Sequence, residues 1–177
     1  MKMKQRKIWI ATVLMFGWTA AQAGPLIGSK YSFFSSSFCR ESRCIFTGKT
    51  ETPAAASRFI GFWYYNYVLA DGNRITVKRY NTPKIPEIHR AVAEASFTAS
   101  GTKAEASKVA AKFATLSTGQ FISGQRVSSC WNIARRMSQN NKRTGEAILL
   151  GSEGPTIGAK CFVHLDGVEG IRIFTNL

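Results

Sequence analysis

Alternation of apolar and polar positions is strongest over residues 58–80, RFIGFWYYNYVLADGNRITVKRY, where two runs rich in aromatic and β-branched side chains flank Ala70-Asp71-Gly72-Asn73. Such runs on either side of a turn predict a β-hairpin. Its register decides its chemistry, because a slip of one residue moves every side chain of a strand to the other face. A two-residue turn at Asp71-Gly72 would set Leu69 against Arg74 and Tyr65 against Lys78. A three-residue loop, with Ala70 and Asp71 in a type I turn and Gly72 left-handed, sets Tyr67 against Ile75, Tyr65 against Val77, Asn66 against Thr76 and Tyr64 against Lys78. The second pairing matches apolar with apolar and polar with polar, and is the one expected. Trp63, Tyr65, Tyr67, Leu69, Ile75 and Val77 then form a core face. Phe62, Tyr64, Asn66, Arg74, Thr76, Lys78 and Tyr80 form an opposite face that is both aromatic and cationic.

Weaker patterns frame this hairpin. Strands are expected at 30–38 and 44–49, followed by a loop at 50–57, and the prolines of Thr82-Pro83-Lys84-Ile85-Pro86 end the ladder after the hairpin. Residues 87–99 satisfy two periods: Ile88, Val92 and Ala95 are spaced as in a helix, whereas Ala91, Ala93, Ala95 and Phe97 alternate as in a strand; the alanines favour the helix. Thr102-Lys103-Ala104-Glu105 has capping-box spacing, and Ala106, Val109, Ala110, Phe113 and Leu116 make one apolar stripe before Gly119, which predicts an amphipathic helix. A second helix is expected from Cys130 to about residue 140, capped by Ser128 or Ser129, with Ile133, Ala134 and Met137 inward. Strands follow at 146–150, 157–165 and 170–174, separated by glycine-rich turns. Strands, then helices, then strands imply an α+β domain: an antiparallel sheet built around a central aromatic-rich hairpin, with two or three helices packed on one face.

The first 23 residues change the picture from fold to compartment. A basic start (Lys2, Lys4, Arg6, Lys7), an apolar run from Ile8 to about residue 21, and Ala21-Gln22-Ala23 before Gly24 make a secretory signal peptide with cleavage expected after Ala23. Residues 24–177 would then be a single domain of the periplasm or the exterior, without a further apolar span. The signal removes four of the 24 basic residues and none of the ten acidic ones, which leaves a formal charge of +10. An excess of this size favours an anionic partner, whether an acidic protein, an envelope polymer or nucleic acid.

All four cysteines follow the signal, and an even count in an exported chain implies two disulfides. Of the three connectivities, Cys39 with Cys44 and Cys130 with Cys161 is favoured. The first would tie the neck of a hairpin, and the second a helix start to a later strand.

Chemistry is sparse. Cys130, read as a thiol at a helix N-terminus, would have its thiolate stabilised there. Ser129-Cys130-Trp131 resembles the core of the papain-type nucleophile signature, although the preceding Cys-Gly is absent. With His164 and Asp166 on one strand face it could compose a cysteine-dependent hydrolase, the alternative to a non-catalytic module. A disulfide accounts for Cys130 more simply. Two distant histidines and dispersed acids give no expectation of a metal or other cofactor. The expected function is therefore binding, at Phe62, Tyr64, Asn66, Arg74, Lys78 and Tyr80, where rings can stack and interleaved cations can hold an anion. A third reading is an envelope assembly or inhibitor module that pairs with a protein through a sheet edge.

Overall fold

The computed structural model describes residues 25–52, 60–100, 103–151 and 157–175. The expected signal peptide, most of the expected 50–57 loop, and much of the turn at residues 151–154 lie outside them. A 3-10 turn (Phe33–Ser35) and the short helix α1 (Ser37–Glu41) precede strand β1 (Ile45–Thr52), β2 (Gly61–Val68), β3 (Arg74–Asn81) and β4 (Val92–Thr98). Helices α2 (Lys103–Thr118) and α3 (Gly124–Asn141) then lead to β5 (Gly145–Leu150), β6 (Ile157–Val163) and β7 (Glu169–Thr175). The strands form one antiparallel sheet in the order β1-β2-β3-β4-β7-β6-β5. Two meanders thus meet where β7 pairs with β4, and the helices carry the chain between them. The fold is α+β, as the element order implies.

The hairpin β2–β3 has the register set by apolar matching: Tyr67 faces Ile75, Tyr65 faces Val77, Asn66 faces Thr76 and Tyr64 faces Lys78. Its loop shows why. Gly72 is left-handed at φ 83° and donates to the Leu69 carbonyl, while the Asp71 carboxylate accepts from the Asn73 backbone and side-chain amides. Asn73 is itself buried, and its Oδ1 accepts from Ser100 N at 2.8 Å, which anchors the loop to the end of β4.

Under the sheet, Ile75, Val77, Ala95, Phe97, Ile171 and Ile173 meet Ala106, Ala110, Phe113 and Ala114 of α2 and Val127, Trp131 and Ala134 of α3. Small side chains let α2 lie close, and Trp131 Nε1 donates to the Gly170 carbonyl at 2.8 Å, satisfying its only polar atom in the core. Glycine is required at 145: a Cβ there would run into the backbone of Ala134 and Ser138 on α3. At the other end, the N-terminal segment covers β1–β3. Phe33 is buried against Phe38, Tyr67 and Phe113, with ring centroids 5.0–6.1 Å apart.

Five expectations are corrected. Residues 30–38 are not a strand, because the Ser36 side chain accepts from Cys39 N and starts α1, so Phe33 and Phe38 reach the core from a turn and a helix. The Cys39–Cys44 disulfide therefore joins the end of α1 to the start of β1 instead of a hairpin neck. Residues 87–99 contain a turn and β4, not a helix; Ala95 and Phe97 are fully buried between β3 and β7, and Val92 between β3 and residues 28–29, and that burial outweighs the helix preference of alanine. Helix α3 begins at Gly124, where Ser123 accepts from Arg126 N, so the inward stripe is Val127, Cys130, Trp131, Ala134 and Ser138 while Ile133 and Met137 are exposed. Finally, β6 ends at Val163, which places His164 and Asp166 in the turn before β7.

Candidate functional site

The two faces of the hairpin carry different electrostatics. On the face away from the helices, Phe62, Tyr64, Asn66 and Lys78 are half-buried, Arg74 is exposed, and Tyr80 is buried against Phe62. Lys78 Nζ lies 4.1 Å from the Phe62 ring centroid and 3.8 Å from Glu94. Glu94 also holds Arg172 at 3.3 Å, and Glu146 holds Lys160 at 3.4 Å and Arg172 at 4.0 Å. Alternating charge thus runs from β3 across β4 and β7 to β5 and β6. The cations of this face are largely neutralised; among the described residues only Arg74 of these four has no carboxylate partner.

The opposite face ends differently. Beyond the edge of the helices, a recess of about 360 Å³ opens over Trp63, Tyr65 and Tyr67 of β2. Four segments bring cations to it: Lys30 from the N-terminal segment, Lys49 from β1, Arg79 from β3 and Arg90 from the turn before β4. Among the described residues no carboxylate lines it, and none of these four cations is in an ion pair. Glu51, two residues from Lys49, is engaged by Asn81.

Arg79 is the centre of this arrangement. It continues the core-facing alternation of Ile75 and Val77 and is only 8 % exposed. Its Nη1 donates to the Arg90 carbonyl at 2.7 Å and its Nη2 to the Tyr31 carbonyl, so backbone dipoles orient the guanidinium without neutralising it. Burial pushes its pKa below the usual arginine value. The same burial raises the Tyr67 hydroxyl above the ordinary tyrosine value, opposed by the nearby Arg79 charge. A charge removed from water without a counter-ion costs several kcal/mol, of order, unless something compensates it.

Around Arg79 the other cations are held loosely. Lys49 is exposed, its Nζ 4.4 Å from the Trp63 ring centroid and 5.6 Å from that of Tyr65. Lys30 Nζ donates to the Pro86 carbonyl at 3.2 Å. Arg90 is held at φ 67°, a left-handed conformation uncommon for a residue with a Cβ, which aims its carbonyl at Arg79. A larger cleft of about 580 Å³ lies between α1 and the α2–α3 junction, but it is lined mainly by apolar groups, and its Lys112 already has Glu41 at 4.0 Å.

The residues of the hydrolase alternative are engaged elsewhere. Cys130 is bonded to Cys161 and lies mid-helix, His164 Nδ1 hydrogen-bonds with Thr144 Oγ1 at 3.0 Å, and Asp166 accepts from Val168 N at 3.1 Å within its own turn. All four cysteines are disulfide-bonded. Among the described residues, no three His, Cys, Asp or Glu side chains converge as metal ligands would, and no helix is long and apolar enough to cross a membrane.

Sequence reasoning nominated the outer face and passed over the recess. Lys30, Lys49 and Arg90 come from separate segments that only the fold brings together. One signal was available: Arg79 at a position whose alternation points it inward. No protein-family model, curated protein or solved structure matches this chain.

Proposed function

We propose that this chain is an exported, non-catalytic binding module for an anionic partner, and that it holds the partner's anionic group in the recess above Trp63 and Tyr65. The observation that carries the reading is Arg79, a buried guanidinium that, like the three further cations around it, has no carboxylate partner among the described residues. An anion entering there recovers the electrostatic energy that burial of Arg79 costs. At the outer face it must compete with Glu94 and Glu146. The basic composition, the two disulfides and the leader-like N-terminus support a role in an oxidising compartment among acidic envelope or extracellular molecules.

The test is the thermal midpoint in low-millimolar phosphate against chloride at equal ionic strength, well below the concentrations at which phosphate stabilises proteins generally. Phosphate at a hundredfold its Kd should add about 2.7 kcal/mol, a rise of roughly 5–10 °C for a domain of this size. Arg79→Met should abolish the rise, and Arg74→Ala with Lys78→Ala should leave it intact. Because Arg79→Met also removes donors from two carbonyls, Arg90→Gly serves as a second variant: it relaxes the left-handed backbone, so it should fold well yet respond less to phosphate. A rise unchanged in both variants, or its loss only on changing Arg74 and Lys78, would place binding on the outer face.

A second reading rests on β1, which forms one edge of the sheet and exposes Ile45 and Phe46. A protein partner that adds a strand there would protect β1 amides from hydrogen exchange, independently of Arg79.

A further inference from the structure

We infer that the recess selects a compact anion carried on a planar ring, of the class of aryl or heteroaryl phosphate monoesters, over a bare inorganic anion; this rests on the anion-binding reading above. The cations and the ring faces are in one place. Trp63 and Tyr65 are half-buried in the same recess as Arg79, and the group now lying over both rings is the ammonium of Lys49, at 4.4 Å and 5.6 Å. Lys49 is exposed on the edge strand and has no carboxylate partner among the described residues, so that contact is a weak one. A ligand ring can take its place by stacking, and the displaced ammonium is then free to turn to the ligand's anionic group.

The deeper donors are fixed before the ligand arrives. Two bonds to carbonyls hold the Arg79 guanidinium, which carries more N–H donors than those two bonds use. Its planar fork suits two oxygens of one phosphoryl or carboxyl group. Lys30 and Arg90, both exposed, supply charge from other sides of the same recess. A bare anion would use the cations and leave the rings half-exposed, whereas an aryl phosphate uses both. Size points the same way: about 360 Å³ is at the low end of small-molecule sites, roughly 300–1,000 Å³. That suits a single ring system with one anionic group better than a segment of polymer.

The experiment titrates the wild-type protein with inorganic phosphate, phenyl phosphate and cyclohexyl phosphate by calorimetry, with tryptophan emission followed in parallel. Phenyl phosphate should bind at least tenfold more tightly than inorganic phosphate and more tightly than cyclohexyl phosphate, and should change the emission of Trp63. Trp63→Leu should lower phenyl phosphate affinity to that of inorganic phosphate while leaving the latter unchanged. Equal affinities for phenyl and inorganic phosphate would overturn the ring selectivity and leave the anion site standing. Equal affinities for phenyl and cyclohexyl phosphate would overturn stacking on a planar ring. Failure of all three to bind would overturn the anion site itself. The ligand comparison is made on the unaltered protein, so it decides the matter even if Trp63→Leu does not fold.

Discussion

Replacing Cys130 and Cys161 together with alanine should destabilise the domain more than replacing Cys39 and Cys44. A disulfide acts largely by restricting the unfolded chain, and the restriction grows with the logarithm of the loop it closes. The sequence separations are 31 and 5 residues, which correspond to about 3.7 and about 2 kcal/mol. Each bridge also fills core space: Cys39, Cys130 and Cys161 are buried and Cys44 partly so, so the voids left by alanine add on the order of 1 kcal/mol to either variant and scarcely alter the gap. A gap of roughly 1.7 kcal/mol separates the thermal midpoints by roughly 3–7 °C in a domain of this length. The larger ring also pins α3 to β6 in the middle of the helix, so its loss frees a principal core contact. Thermal and urea unfolding of both variants without reductant measure the difference. Wild-type protein recovered from an exporting host and alkylated before reduction should take up no label and, on the expected cleavage after Ala23, have a mass starting at Gly24. Equal midpoints, or a less stable Cys39→Ala/Cys44→Ala variant, would refute the reasoning.

Two further outcomes follow from packing and burial. Gly145→Ala should cost at least about 3 kcal/mol, because the new methyl meets the backbone of α3, which cannot yield without the helix leaving β5; urea unfolding would show it, and a loss below about 1 kcal/mol would mean that the helix is not seated there. Tyr67 should ionise above the ordinary tyrosine value. Because its pKa is raised in the folded state, it binds its proton more tightly there than in the unfolded chain, so its contribution is present below pH 10 and lost as pH rises through the folded value. Tyrosinate absorbance should lose a step above the ordinary tyrosine value in Tyr67→Phe, and persistence of that step would assign it elsewhere.

What the sequence disclosed follows from how local each determinant is. The β2–β3 register was readable because only one loop pairs apolar with apolar residues, and α2 because its stripe, first turn and terminal glycine lie within one segment. Residues 87–99 were not, since the burial of Phe97 depends on β3 and on β7, more than 70 residues away by the numbering, and that of Val92 on β3 and the N-terminal segment at Gly28 and Ser29. The N-terminal aromatic run misled because Phe33 and Phe38 enter the core from non-strand segments, and the serine that caps α1 is one of several in a serine-rich stretch. The site was legible in one residue. The alternation that buries Ile75 and Val77 also buries Arg79, a cation where a core residue is expected, but Lys30, Lys49 and Arg90 join it only through the fold.

The most direct test of the anion site is an amide and indole NMR titration of the unaltered protein with phosphate. Signals of Trp63, Arg79, Arg90 and residues 30–32 should shift together and saturate, while those of Phe62, Tyr64 and Lys78 stay in place. Shifts confined to the outer face, or none that saturate, would contradict an anion site at Arg79.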